Sequence, residues 1–191
     1  MIMGNNGNMK KTVMVCLELM KIEGKTTQSE ISQKLSVSLS TVNRTVKKLE
    51  GMGAVDVRQR SLGVLDKEKI LMYLASLRNP SKDMVYETRV EGGVEEIEKN
   101  MPGGTDFTAY SAYKFSYGDM PADYSEVYVY AEEDAVDEIK ERFPRKDGPA
   151  NLFVLRKEVD VTPSLIFADL WNLREWYSKE FVGDLRDRIL E

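Results

Sequence analysis

The strongest constraint on the fold is a helical repeat of apolar residues in segment 39–52. These residues recur at three- and four-residue steps, which is the spacing of one face of an α-helix. They are Leu39, Val42, Val46, Leu49 and Met52. The glycines at positions 51 and 53 favour a helix end at this point. The segment therefore predicts an amphipathic helix that buries one side.

The other side of this helix carries only hydroxyl, amide and basic side chains: Ser40, Thr41, Asn43, Arg44, Lys47 and Lys48. Arg and Asn can each form two hydrogen bonds with a base edge, whereas Lys, Ser and Thr can bind phosphates. The pattern favours a helix that lies in the major groove of DNA.

Two further helices are predicted before this one. The first spans about residues 10–21, where apolar residues again follow the helical spacing. The second begins at Thr27, whose spacing to Glu30 fits a capping box, and it ends near Leu35. The segment 36–38 between the second and third helices is predicted to be a turn.

A β-hairpin is predicted after the third helix. Val55 and Val57 alternate with polar residues, and the segment 62–65 returns after a basic tip at residues 58–61. This order of elements resembles the winged helix-turn-helix domains of prokaryotic transcription regulators, over about residues 10–66. The resemblance implies that the third helix and the hairpin contact DNA. The predicted contact residues are Gln28, Ser38, Ser40, Thr41, Asn43, Arg44, Lys47, Lys48, Arg58, Gln59 and Arg60.

Two other interpretations of these basic residues stay open. A cluster of Lys and Arg can be an ordinary solvated surface. A winged helix can also bind protein rather than DNA. The charge distribution favours DNA, because residues 1–66 hold ten Lys/Arg against six Asp/Glu, a net charge of +4. Residues 67–191 hold seventeen against twenty-six, a net charge of -9. Affinity for DNA depends on this local charge rather than on the total of -5.

Composition excludes several classes of function. The chain has no histidine, which removes His-based catalysis and nearly all zinc sites, and its single cysteine, Cys16, cannot form an internal disulfide. No apolar run is long enough to span a membrane, and the N-terminus lacks a signal peptide. We therefore expect a cytoplasmic protein with no metal, cofactor or membrane partner.

The rest of the chain predicts mixed α/β structure. A flexible leader at residues 1–9 and a linker helix at residues 67–80 are expected on either side of the winged domain. Within residues 81–191, strands are predicted at about 84–90, 127–130 and 151–155. Helices are predicted at about 94–100, 106–117, 134–143, from Thr162 onwards and 175–190. The expected fold class is α+β.

A glycine-rich loop precedes one of these predicted helices. Gly103, Gly104 and Thr105 could hold a phosphate at a helix N-terminus, although such a loop is more often a flexible turn. This loop, the helix after it and the strand 126–130 resemble a nucleotidyltransferase-like domain. The helix that begins with Thr162 and Pro163 is similar to the one that closes this domain in regulators of the AbiEi antitoxin family.

Active enzymes with this domain use a carboxylate pair on the strand, in the pattern Asp-x-Asp or Asp-x-Glu, to hold two metal ions. Here Glu126 is followed two residues later by Tyr128, which cannot replace the second carboxylate. The resemblance therefore implies a catalytically inactive domain with no catalytic or metal-binding residues. Gly103, Gly104, Thr105 and Glu126 would be a vestigial nucleotide site.

Together these features predict a sequence-specific transcription regulator, expected to be a repressor. It would bind double-stranded DNA as a homodimer and use its C-terminal domain for sensing or association. Two alternatives stay open: an antitoxin-type regulator that opposes a partner toxin, and an active nucleotidyltransferase.

Overall fold

The computed structural model describes the backbone of residues 6–191 and the side chains of residues 10–191. The chain divides into two compact units, the first ending at Arg78 and the second beginning at Asn79. Residues 1–5 of the predicted leader lie outside the described part. The first helix begins at Asn6 rather than at the predicted Lys10.

The first unit contains four helices and three short strands in its described part. The helices are α1 (Asn6–Met20), α2 (Gln28–Lys34), α3 (Leu39–Gly51) and α4 (Lys67–Leu77), and the strands are β1 (Lys25–Thr26), β2 (Val55–Arg58) and β3 (Ser61–Val64). Side-chain oxygens cap three helix starts, where the first backbone N–H groups have no partner inside the helix. The caps are Thr27 for α2, Ser38 for α3 and Asp66 for α4.

The three strands of the first unit form an antiparallel sheet in the order β1-β3-β2. The hairpin β2–β3 confirms the predicted wing, with Val57 opposite Leu62. The strand β1 was not predicted from the sequence. It has only two residues and exists because Lys25 and Thr26 pair with Gly63 and Leu62 of the wing.

Helices α1 and α4 pack against each other in the core of the first unit. The predicted linker helix is therefore part of this unit, with Ile70, Leu71 and Leu74 fully buried. Cys16 on α1 is also fully buried, and burial raises the pKa of its thiol to about 12. This thiol stays protonated at neutral pH and packs as a small apolar side chain.

The second unit contains six helices and four strands in its described part. The helices are α5 (Pro80–Asp83), α6 (Gly93–Lys99), α7 (Ala109–Tyr117), α8 (Glu133–Arg142), α9 (Pro163–Trp171) and α10 (Ser178–Leu190), and the strands are β4 (Met84–Thr88), β5 (Thr105–Thr108), β6 (Val127–Ala131) and β7 (Leu152–Arg156). The observed α+β architecture agrees with the predicted mixed fold. It does not by itself identify the second unit as nucleotidyltransferase-like.

The four strands form one mixed sheet in the order β4-β7-β6-β5. The central strands β6 and β7 are parallel, and both edge strands pair antiparallel with them. Successive residues of β6 point to opposite faces. Val127 and Val129 pack with α6 and α8, whereas Tyr128 and Tyr130 meet α7, α9 and the residues that follow α9. The sheet therefore has helices on both faces.

Two predicted boundaries in the second unit are wrong. The helix predicted at residues 106–117 begins only at Ala109, because Thr105–Thr108 pairs with β6 as an edge strand. The last helix begins at Ser178 rather than near Glu175. No helix in the described part of the chain is long and apolar enough to cross a membrane.

Candidate nucleic-acid interface

The exposed face of α3 is the centre of the candidate site. Side chains advance by about 100° per residue around a helix. Buried Val42, Val46 and Leu49 therefore fix one side, and the opposite side presents Ser40, Asn43, Arg44 and Lys47, with Lys48 on its flank. Arg44, Lys47 and Lys48 are exposed, and none has an ion-pair partner among the described residues. Their charges are available to a polyanion.

A cleft of about 680 Å³ lies between α2, the first turns of α3 and the wing. Six of the predicted contact residues line it together: Gln28, Ser40, Asn43, Arg58, Gln59 and Arg60. They come from three elements, and Gln28 and Arg60 are 32 residues apart in the sequence, so the fold brings them to one place. Arg44, Lys47 and Lys48 are not among the residues that line the cleft.

An amide pair joins α2 to α3 inside this cleft. The Asn43 side chain donates from Nδ2 to Oε1 of Gln28 at 3.1 Å, and both side chains are partly buried. The sequence predicted both residues as separate DNA contacts. It gave no sign that they contact each other across fifteen residues.

The wing arginines differ in their surroundings. The Arg58 guanidinium donates to the Asp56 carboxylate at 2.7 Å, and both side chains are solvent-exposed. Arg60 is exposed and has no ion-pair partner in the described part of the protein. A phosphate that binds Arg58 must therefore compete with Asp56.

Two predicted contact residues at the start of α3 have a structural role. Ser38 is the N-cap, and its hydroxyl lies 2.9 Å from the Thr41 hydroxyl. Thr41 is only 6% exposed. The interpretation of Thr41 as a DNA-facing side chain is wrong, because its helical position turns it toward the buried side. Ser38 remains exposed at the helix start.

Six residues that line the cleft were not predicted as contacts, and three of them are polar: Thr27, Ser29 and Ser61. Thr27 was interpreted only as a cap, and it does form both bonds of a capping box with Glu30. Hydrogen bonds from Thr26 and Thr27 lower the pKa of Glu30, so this carboxylate is charged at neutral pH. The sequence could have indicated Ser29 as a contact, since this residue lies beside Gln28 in the first turn of α2.

The residues predicted as a vestigial nucleotide site do not come together. Gly103 and Gly104 precede the strand β5 rather than a helix, which removes the helix N-terminus from the prediction. Thr105 pairs with Ala131 at one end of β6, whereas Glu126 precedes the other end. These two residues are about 16 Å apart along the strand direction. Glu126 instead accepts a hydrogen bond from the Tyr177 hydroxyl.

Tyrosines of the second unit pack into one polar-edged cluster. Tyr110 and Tyr128 both donate to Glu175, at 3.2 and 3.1 Å, while Tyr130 donates to buried Asp169 at 2.6 Å. Burial, followed by the nearby Glu175 charge, raises the pKa of Tyr110 and of Tyr128. These rings are core side chains whose hydroxyls are already engaged.

The first unit has the architecture of a winged helix-turn-helix domain: three helices followed by a hairpin, with polar and cationic side chains on the third helix and the wing. This class of domain is found in DNA-binding regulators.

Residues 10–61 match the model of the MarR family. The match covers about a quarter of the 191-residue chain, all of it within the first unit. It supports a winged helix-turn-helix regulator and suggests DNA binding. No curated protein and no solved structure matches the chain. The nucleotidyltransferase-like domain and the AbiEi resemblance therefore stay predictions.

Proposed function

We propose that the protein is a sequence-specific, DNA-binding transcription regulator that places α3 in the major groove and the wing against the DNA backbone or the minor groove. The observation that carries this proposal is the convergence of six polar and cationic side chains from α2, α3 and the wing on one cleft. The match of residues 10–61 to the MarR family supports the same function.

Base contacts and phosphate contacts would come from different parts of α3 in this arrangement. The cleft offers amides and hydroxyls that can read base edges, beside Arg58 and Arg60 of the wing, which can bind the DNA backbone. The cleft lining does not include Arg44, Lys47 and Lys48. Basic side chains at these exposed positions can bind phosphates. Phosphate contacts would supply most of the affinity, and the cleft would supply the preference for one sequence.

The direct test is selection of duplexes from a random library by the purified full chain at near-physiological salt, followed by sequencing. An enriched motif supports the proposal. If a folded protein enriches no motif, the proposal fails, and the winged domain becomes a surface for protein contacts.

A charge-removal experiment tests the position of the interface. The double substitution Arg44→Ala and Lys47→Ala should weaken binding to all duplexes. It should also flatten the slope of log affinity against log salt by about 2 for each bound protomer, since each lost phosphate contact removes about 0.9. The double substitution Lys99→Ala and Lys179→Ala is the matched control, because it removes the same charge from exposed positions of the second unit. Equal slopes for the two variants would contradict this placement of the interface.

We also propose that the protein acts as a homodimer and as a repressor, with the second unit used for sensing or association. A single winged module contacts few bases, so a two-fold dimer that reads a palindrome would supply the missing contacts. Copies with different tags, mixed during expression, should purify together. A monomer mass in solution at micromolar protein would exclude the dimer.

A further inference from the structure

The amide pair of Gln28 and Asn43 restricts what the cleft can bind. Gln28 is the first residue of α2, and Asn43 is the fifth residue of α3. One of the two Nδ2 hydrogens of Asn43 is used in the bond to Gln28 Oε1. The other hydrogen and the Oδ1 acceptor have no partner among the described residues, so Asn43 presents one donor and one acceptor.

The starts of both helices are fixed by local caps. Thr27 and Glu30 exchange two hydrogen bonds immediately before Gln28, and Ser38 accepts from the backbone N–H of Thr41 before Asn43. Neither amide therefore depends on a flexible loop for its position. The bond to Gln28 couples the orientations of the two amides, and with Gln28 Oε1 facing Asn43 it is the nitrogen of Asn43 that donates.

Only one base has a major-groove edge that matches a donor beside an acceptor. Adenine offers N7 as an acceptor and N6–H as a donor, whereas guanine offers two acceptors. Cytosine offers a donor alone, and thymine an acceptor alone. An amide free to rotate could adapt to several of these edges, but the amide of Asn43 is held by Gln28.

Given the proposed DNA-binding function, on which this inference rests, we propose that Asn43 reads an adenine in each half-site and that Gln28 is its positioning residue. Asn43 Oδ1 accepts from adenine N6–H, and the remaining Nδ2 hydrogen is donated to N7. Gln28 acts through the orientation of Asn43 rather than by its own contact with this base.

The test repeats the duplex selection with the full chain carrying single substitutions. The wild type should enrich an adenine in its motif by roughly 5- to 150-fold over the other bases, the range expected for one bidentate pair. Asn43→Asp keeps only acceptors, so the preference at that position should change to cytosine, whose N4–H is a donor. This readout compares bases at one position and does not depend on overall affinity.

Substitutions of Gln28 test whether this residue orients the Asn43 amide or contacts the base itself. Gln28→Ala should reduce the adenine preference at this position more than it reduces the base preference at the other positions of the motif. Gln28→Glu keeps the acceptor and should restore the preference. Lys47→Ala is the matched control, which should weaken binding to all sequences and leave the base preference intact.

The outcomes distinguish this inference from the proposed function. A motif that is enriched by the wild type and unchanged by Asn43→Asp overturns the inference and leaves DNA-binding regulation standing. A motif that loses adenine with Asn43→Asp but is unaffected by Gln28→Ala removes the positioning role. If the wild type enriches no motif, both proposals fail.

Discussion

Replacing Ser36, in the turn between α2 and α3, with glycine should stabilise the first unit. Its φ is +51°, in the left-handed region. Ser36 directly follows the C-cap Leu35. The Val37 N–H donates to the Ser32 carbonyl at 3.1 Å, and the Ser36 N–H donates to the Gln33 carbonyl at 3.2 Å. This pattern is a Schellman motif, in which the left-handed position is usually glycine.

The size of the effect follows from two opposing contributions. A non-glycine residue in the left-handed region costs about 1 to 2 kcal/mol. Glycine loses more backbone entropy on folding, which costs roughly 0.5 to 1 kcal/mol. Ser36 is exposed, so its substitution removes no buried contact. Ser36→Gly should therefore raise the free energy of unfolding of the first unit by about 0.5 to 1 kcal/mol.

Thermal unfolding of the full chain, followed by circular dichroism and calorimetry, measures this change. For a unit of this size the midpoint should rise by about 2 to 8 °C. Ser36→Ala is the control, because it removes the hydroxyl and keeps the Cβ atom, and it should leave the midpoint near that of the wild type. A glycine variant no more stable than the alanine variant would show that the turn is not strained at this residue.

Two further predictions concern charge and pH. Asp56→Asn should release Arg58 and strengthen DNA binding, with a salt slope steeper by up to about 1 for each bound protomer. Asp137→Asn is the control. It frees exposed Lys140 of the second unit and should change neither quantity. Burial and a hydrogen bond to Asp184 raise the pKa of Tyr113 to about 12. Burial and a hydrogen bond to Glu126 likewise raise the pKa of Tyr177 to about 12. An unfolded tyrosine has a pKa of about 10, so the stability from these two residues should be complete below about pH 10 and lost as pH rises toward about 12. Tyrosinate absorbance and near-ultraviolet circular dichroism should change together in this range, and ionisation of all tyrosines before any loss of tertiary structure would refute the coupling.

The elements around the candidate interface were predictable because their signals are local in sequence. The capping box of Thr27 and Glu30 marks the start of α2, and the apolar repeat of α3 identifies its buried side. Thr41 was misassigned because it lies at the edge of that side. Its hydroxyl group suggested a contact with DNA, but helix packing buries the side chain. The bond between Gln28 and Asn43 was not predictable, since it depends on how α2 packs on α3.

The second unit was less predictable because tertiary pairing decides its structure. The strand β5 follows two glycines and contains only four residues, so its own sequence gives a weak signal. It forms because Phe107 and its neighbours pair with β6. The acceptor of the Tyr128 hydroxyl, Glu175, lies 47 residues away in the sequence. No spacing rule connects residues at such a distance.

The tyrosine cluster around Glu175 limits how the second unit could sense a ligand. A ligand that entered beside β6 would have to displace Tyr110 and Tyr128 from Glu175. Each hydrogen bond to a charged group contributes about 1.5 to 3 kcal/mol, so breaking both would cost about 3 to 6 kcal/mol before any ligand contact is formed. A ligand able to offset that cost would need a hydrogen-bond donor of its own for Glu175. Sensing through these tyrosines would therefore need a ligand with a hydrogen-bond donor for Glu175, whereas association through the outer surface of the unit carries no such cost.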